Sequence, residues 1–160
     1  MDDIRLEALI GDALKRRGWT VCTAESCTGG LIAHRLTNIS GSSAYVLGGV
    51  VTYSNEAKMK LIGVPEATLS AHGAVSAATA QAMAEGVRAL FNADIALSVT
   101  GIAGPGGGSP EKPVGLVYIG LALRDRETQV NRYLWDGDRE SNKARSADAA
   151  LQMIYAAAKA

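Results

Sequence analysis

Apolar positions change their spacing several times along the chain, and each change marks an element. Ile4, Leu6, Leu9, Ile10, Ala13 and Leu14 recur at helical intervals, and Gly18 stands where such a helix stops. "WTVCTAE" then reads as a short strand, and "GGLIAHRLTN" as a helix capped by Ser26 or Thr28. The β-branched run "AYVLGGVVTYS" predicts a buried strand, with Gly48 and Gly49 marking a bulge or a close backbone approach. Ser54 caps a short helix, "NEAKMKLIG", which Gly63 and Pro65 terminate, and "PEATLSAHG" supplies another. Ser76 opens a longer helix whose apolar stripe is Ala80, Met83, Ala84, Val87, Leu90 and Phe91.

"ADIALSVT" is a strand that runs into the glycine-rich stretch "GIAGPGGGSPEKPVG". "LVYIGLALRD" and "ETQVNRYLWD" predict two strands joined by a tight turn at Asp125–Arg126. From Asp138 onward, Ala147, Ala150, Leu151, Ile154 and Ala158 describe a closing helix. No repeat or linker interrupts the series. Helices interspersed with strands, one pair of them a hairpin, predict a single α/β domain with a mixed sheet between helical layers.

Composition narrows the partners. A length of 160 residues, 48% hydrophobic and 20% charged, suits one globular domain with its own core. Sixteen basic residues balance sixteen acidic ones, so the basic excess of a nucleic-acid-binding protein is missing. The two cysteines, Cys22 and Cys27, form neither a disulfide framework nor, without paired histidines, a zinc site. The opening "MDDIRLEALIGDALKRRGW" has no signal-peptide pattern, and no stretch reaches the roughly 18–20 apolar residues of a membrane span. A cytoplasmic chain acting without nucleic acid or membrane is expected.

Four stretches carry candidate chemistry. In "TAESCTGG", Ser26 sits where a strand hands over to a helix. There a hydroxyl is exposed beside free backbone N–H groups, and Gly29 and Gly30 let a ligand approach them. Two readings stay open at this point: Ser26 as a nucleophile with an oxyanion site beside it, or a plain helix cap. Cys27 is a rival nucleophile. His34 lies about 12 Å along the same helix at 1.5 Å per residue, and His72 suits a helix C-terminus, so a Ser-His-Asp triad is not available. "TYSNEAKMKL" offers Tyr53 and Lys58, which converge on Ser26 if their strand neighbours its strand; a solvated lysine is the alternative. A lysine base needs its pKa lowered by burial or a neighbouring cation. The loop containing Gly101, Gly104, Gly106, Gly107 and Gly108 can wrap a phosphate or nucleotide, or be a plain surface loop, and it lacks the Gly-Lys-Ser/Thr of a Walker loop. In "GDRESNKARS", Arg139, Lys143 and Arg145 crowd a helix start, where cations do not favour the helix dipole; Arg139 can clamp a phosphate, or the cluster is a solvated face.

In order, "TAESCTGG", "GGVVTYSNEAKMKLIGV", "HGAVS", "SVTGIAGPGGG", "PVGLVYIGLA" and "GDRESNKARS" resemble the CinA C-terminal domain family, the nicotinamide-nucleotide amidases. The resemblance implies a three-layer α/β/α sandwich, with residues 1–160 forming one amidohydrolase domain. It implies hydrolysis of the carboxamide of nicotinamide mononucleotide to nicotinate mononucleotide and ammonia, by a serine–lysine pair without metal or cofactor. Carried onto this chain, the catalytic positions are Ser26, Tyr53 and Lys58. The substrate-binding positions are Glu25, Thr28, Gly29, Gly30, Thr100, Gly101, Gly104 and Arg139. Cys27 falls at a variable position, and Lys143 stands where the family more often has arginine, so positive charge is kept. The resemblance also implies a homo-oligomer. It suggests that longer relatives add an N-terminal domain whose activity does not transfer here. A catalytically silent nucleotide-binding module and an amidase for another small carboxamide are the alternatives.

Overall fold

Large and small residues alternate in the central strands, and that alternation builds two unequal helical layers. The computed structural model describes residues 5–160, so Ile4, the first position of the expected helical stripe, lies outside the described residues. The strands are Val21–Glu25 (β1), Val46–Val51 (β2), Ile95–Gly101 (β3), Leu116–Leu123 (β4) and Gln129–Leu134 (β5). They form one sheet in the order β2-β1-β3-β4-β5. β1 is parallel to β2 and β3, whereas β4 runs antiparallel to β3 and β5.

Helices Leu6–Arg17 (α1), Leu31–Thr37 (α2) and Arg139–Lys159 (α6) cover one face. Beneath them lie Val21, Ile95, Leu97, Val99, Val117, Ile119 and Leu121. Helices Asn55–Ile62 (α3), Glu66–His72 (α4) and Ala77–Phe91 (α5) form the other layer, over Cys22, Ala24, Ala96 and Ala122. The small residues bring α5 close enough for the Ser98 hydroxyl to donate to the Ala80 carbonyl at 2.6 Å. A Cβ added at Gly120 would lie 2.7 Å from that same carbonyl oxygen. Within this layer Gly86 of α5 faces the end of α3, where an added Cβ would stand 1.9 Å from the Ile62 carbonyl oxygen. This is a three-layer α/β/α single domain with a mixed sheet, as the sequence predicts.

Several local expectations change. β2 is an edge strand with alternating half-buried and exposed residues, because only β1 pairs with it. Its glycines show both predicted features. Pairing shifts register between Val46 and Gly48, and a Cβ at Gly49 would meet the Thr23 hydroxyl at 2.3 Å. Leu90 is 54% exposed and leaves the α5 stripe, while Phe91 packs its ring edge over Gly48. The β4–β5 connection runs from Arg124 to Thr128, longer than a tight two-residue turn, with Asp125 at a φ of 60°. No helix among the described residues is long and apolar enough to cross a membrane.

Candidate active site

Parallel strands leave the sheet at a common edge, and in open α/β sheets ligands bind beyond their carboxyl ends. Ser26 follows β1 directly, and its N–H donates to the Val99 carbonyl of β3 at 2.9 Å. Thr52 follows β2, with its N–H on the Glu25 carbonyl, also at 2.9 Å. Ser26, Thr52 and Thr100 therefore stand at the same rim.

Helix α3 delivers the lysine. Ser54 caps it by accepting from the Ala57 N–H at 3.0 Å, and the helix turns Lys58 inward until only 1% of the residue is exposed. Its Nζ donates to the Thr52 carbonyl at 2.8 Å and to Ser26 Oγ at 3.3 Å. Burial holds the Lys58 pKa below its ordinary value of 10.5, opposed only by the neighbouring Cys27 sulfur. Among the described residues no carboxylate neutralises the ammonium. A lysine so placed gives up its proton more readily than one in water, as a general base requires.

Ser26 itself is 8% exposed and opens onto a cavity of about 270 Å³, shared with Tyr53, Lys58, Thr100, Gly101 and Arg139. Cys27 also lines this cavity, but burial pushes its thiol up to about 12, so it remains protonated and is a poor nucleophile. Neither His34 nor His72 borders the cavity.

The acid beside Ser26 caps α2. Glu25 is fully buried, and its carboxylate accepts from the Thr28 hydroxyl at 2.6 Å and from the N–H groups of Ile32 and Ala33 at 2.9 and 3.0 Å. This corrects the expected cap. Gly30 occupies the cap position at a left-handed φ of 106°, and neither the Ser26 nor the Thr28 hydroxyl accepts from a helix N–H. Freed of that duty, the Ser26 hydroxyl faces Lys58. Glu25, Thr28, Gly29 and Gly30 do not border the cavity, and the Thr28 hydroxyl is turned toward Glu25. The Gly29 N–H is engaged by the Ser26 carbonyl at 3.1 Å, whereas among the described residues the N–H groups of Cys27, Thr28 and Gly30 find no carbonyl acceptor.

On the opposite wall, Arg139 opens α6, its guanidinium donating to the Gly104 carbonyl at 2.7 Å and to the Tyr53 hydroxyl at 3.2 Å. The Tyr53 residue is 64% exposed, so this contact forms an outer rim. Gly104 meets Arg139 through its carbonyl and does not itself border the cavity. Thr100 fixes the segment before α5 by donating to the Ala74 carbonyl at 2.7 Å. At Gly101 an added Cβ would lie 2.8 Å from the Leu116 carbonyl oxygen, so β4 leaves no room for a side chain. Lys143 lies one turn beyond Arg139, its Nζ 3.8 Å from where a Cβ on Gly29 would stand. Among the described residues neither cation has a carboxylate partner, and of the two only Arg139 borders the cavity.

One residue escaped sequence reasoning. Asn142 is buried and donates to the Ala103 and Gly137 carbonyls, both at 3.0 Å. A signal existed, because Asn142 shares a helical face with the buried Ser146, Ala149, Ala150 and Met153. A polar side chain on a core stripe is held there by partners. Among the described residues, no three His, Cys, Asp or Glu side chains gather to hold a metal ion.

Comparison with known proteins agrees with the architecture. The family model described as the CinA C-terminal domain matches residues 3–158. A CinA-like protein of Chloroherpeton thalassium is 57% identical over 156 residues, covering 95% of this chain and 37% of that protein. The chain thus spans little more than a third of the curated relatives it matches. The crystal structure of the competence/damage inducible protein CihA from Agrobacterium tumefaciens superposes with a TM-score of 0.91 at 45% identity, covering 94% of each chain. That of the competence damage-inducible protein A from Klebsiella pneumoniae gives 0.91 at 41% identity, covering 94% of this chain and 93% of that one.

Proposed function

The chain belongs to the CinA C-terminal domain family, and from that premise we propose that it hydrolyses the carboxamide of nicotinamide mononucleotide to nicotinate mononucleotide and ammonia. The observation that carries this reading is the buried Lys58 ammonium, without a carboxylate partner among the described residues, 3.3 Å from Ser26 Oγ in the wall of the cavity. Such a pair has a chemical use. Neutral Lys58 Nζ takes the hydroxyl proton as Ser26 Oγ attacks the amide carbon, forming a tetrahedral oxyanion. The Lys58 ammonium returns that proton to the departing nitrogen, releasing ammonia and leaving a serine ester. Water, deprotonated by Lys58, then cleaves the ester and restores the Ser26 hydroxyl.

The Cys27 N–H, next to the nucleophile and without a carbonyl acceptor among the described residues, is the candidate oxyanion donor. Arg139 supplies the positive charge for the phosphate, with Lys143 one turn behind it, and Gly106 and Gly107 of the loop border the ribose. Tyr53 joins the two sides of the site through Arg139. Holding the phosphate orients the distant carboxamide, so the nucleotide is a better substrate than free nicotinamide.

The test is ammonia release from nicotinamide mononucleotide in the presence of EDTA. Ser26→Ala and Lys58→Ala each lower kcat by at least about a hundredfold, the least a missing nucleophile or general base removes. Undiminished turnover in Ser26→Ala would end the proposal.

A further inference from the structure

We propose that Asn142 is a positioning residue that sets the phosphate-binding side of the cavity, a role that rests on the amidase reading above. Its carboxamide makes three hydrogen bonds. Both Nδ2 hydrogens go to carbonyls, Ala103 and Gly137, while Oδ1 accepts from the Gly137 N–H at 3.0 Å. Two acceptors and one donor around the group fix its orientation, since the flipped amide would face carbonyl against carbonyl.

The contacts join three parts of the site. Gly137 precedes Asp138, which caps α6 by accepting from the Ser141 N–H at 2.8 Å. Pinning both polar groups of Gly137 therefore fixes where α6 begins, and with it the root of Arg139. Ala103 borders the cavity just before the glycine loop. Ala103 and Gly104 turn successive carbonyls to the first turn of α6, one onto Asn142 and the other onto Arg139. The Arg139 contact is part-buried and its side chain is reached by water, whereas Asn142 is 1% exposed and is not. Behind it, the Asn142 carbonyl accepts from the Ser146 hydroxyl at 2.7 Å, and that hydroxyl accepts from Trp135 Nε1 at 2.9 Å. This chain anchors the asparagine to the end of β5. Asn142 does not border the cavity, so it acts through the loop and Arg139.

Asn142→Leu removes all three contacts at similar size, and Asn142→Asp keeps an acceptor for Gly137 but no donor for Ala103. Two measurements apply to both variants. Hydrogen exchange on the substrate-free protein is expected to quicken at least tenfold at Ile102, Ser109 and Gly115, the hydrogen-bonded amides that flank the glycine loop, with α1 and β1 unchanged. Steady-state kinetics are expected to show KM for nicotinamide mononucleotide raised tenfold or more, kcat reduced less than threefold, and KM for the riboside, which lacks the phosphate, changed less than threefold. Should the leucine variant fail to fold, the aspartate variant carries both measurements. Unchanged exchange at Ile102, Ser109 and Gly115 overturns the proposal, as does an unchanged KM for the nucleotide or an equal loss on nucleotide and riboside. If the unaltered protein turns over no nucleotide, the amidase reading fails and takes the phosphate role with it, while exchange still decides whether Asn142 holds the loop.

Discussion

Replacing Glu25 separates two roles that its place beside Ser26 makes easy to confuse. Its carboxylate receives three hydrogen bonds, two from the first free N–H groups of α2 and one from Thr28. In Glu25→Ala those donors lose a buried partner. Hydrogen bonds to a charged group contribute about 1.5–3 kcal/mol each and a helix cap about 1 kcal/mol, and the terms overlap, so the expected loss is about 3–5 kcal/mol. For a domain of this size each kcal/mol lowers Tm by about 2–4 °C, which places the fall at about 6–20 °C. Glu25→Gln keeps one oxygen for Thr28 and Ile32 but sets an amide NH₂ against the Ala33 N–H, and is expected to lose about half as much. Thermal unfolding followed by circular dichroism, together with KM for the nucleotide, tests this. A Glu25→Ala variant that melts within 2 °C of the parent, as an order-of-magnitude margin, while KM rises would refute the capping role. It would restore Glu25 as a substrate contact.

The depressed Lys58 pKa has consequences of defined sign. Activity is expected to rise with pH and to reach its plateau below 10.5, the ordinary lysine value, because the neutral amine is the base. Folded Lys58 releases its proton more readily than unfolded Lys58, so stability also rises with pH between the depressed value and 10.5. Urea midpoints measured across that window are expected to show a slope that Lys58→Met reduces; an identical slope in the variant contradicts a buried, unpaired ammonium. Gly86→Ala forces α5 away from the Ile62 carbonyl and is expected to destabilise by about 2–4 kcal/mol. It is also expected to lower kcat by displacing α3 and its lysine, and a variant with parental Tm and kcat would count against that contact.

Much of the frame is written in local patterns. Helical spacing marks α1, α5 and α6, and "SNEAKM" carries both the Ser54 cap and the inward lysine four residues later. The strand order is not local. An apolar β-branched run such as Val46–Val51 looks the same whether one neighbour or two will pair with it, so its edge position escaped notice. The capping contacts of Glu25 are hidden for a related reason, since two of its partners are backbone N–H groups seven and eight residues ahead. Asn142 reaches across to Ala103, a partner no spacing rule connects with it. The Ser26–Lys58 convergence was conditional on β1 and β2 being neighbours, and they are.

The uneven thickness of the two helical layers gives the sheet a tolerant side and an intolerant one. Beneath α6, branched aliphatic residues can exchange for one another with modest repacking. Beneath α5, glycine, alanine and serine hold two backbones nearly in touch, and even one added methyl must move a helix. Random variation should therefore accumulate on the first side and be purged from the second, leaving α3 and its amine the more faithfully inherited half of the molecule.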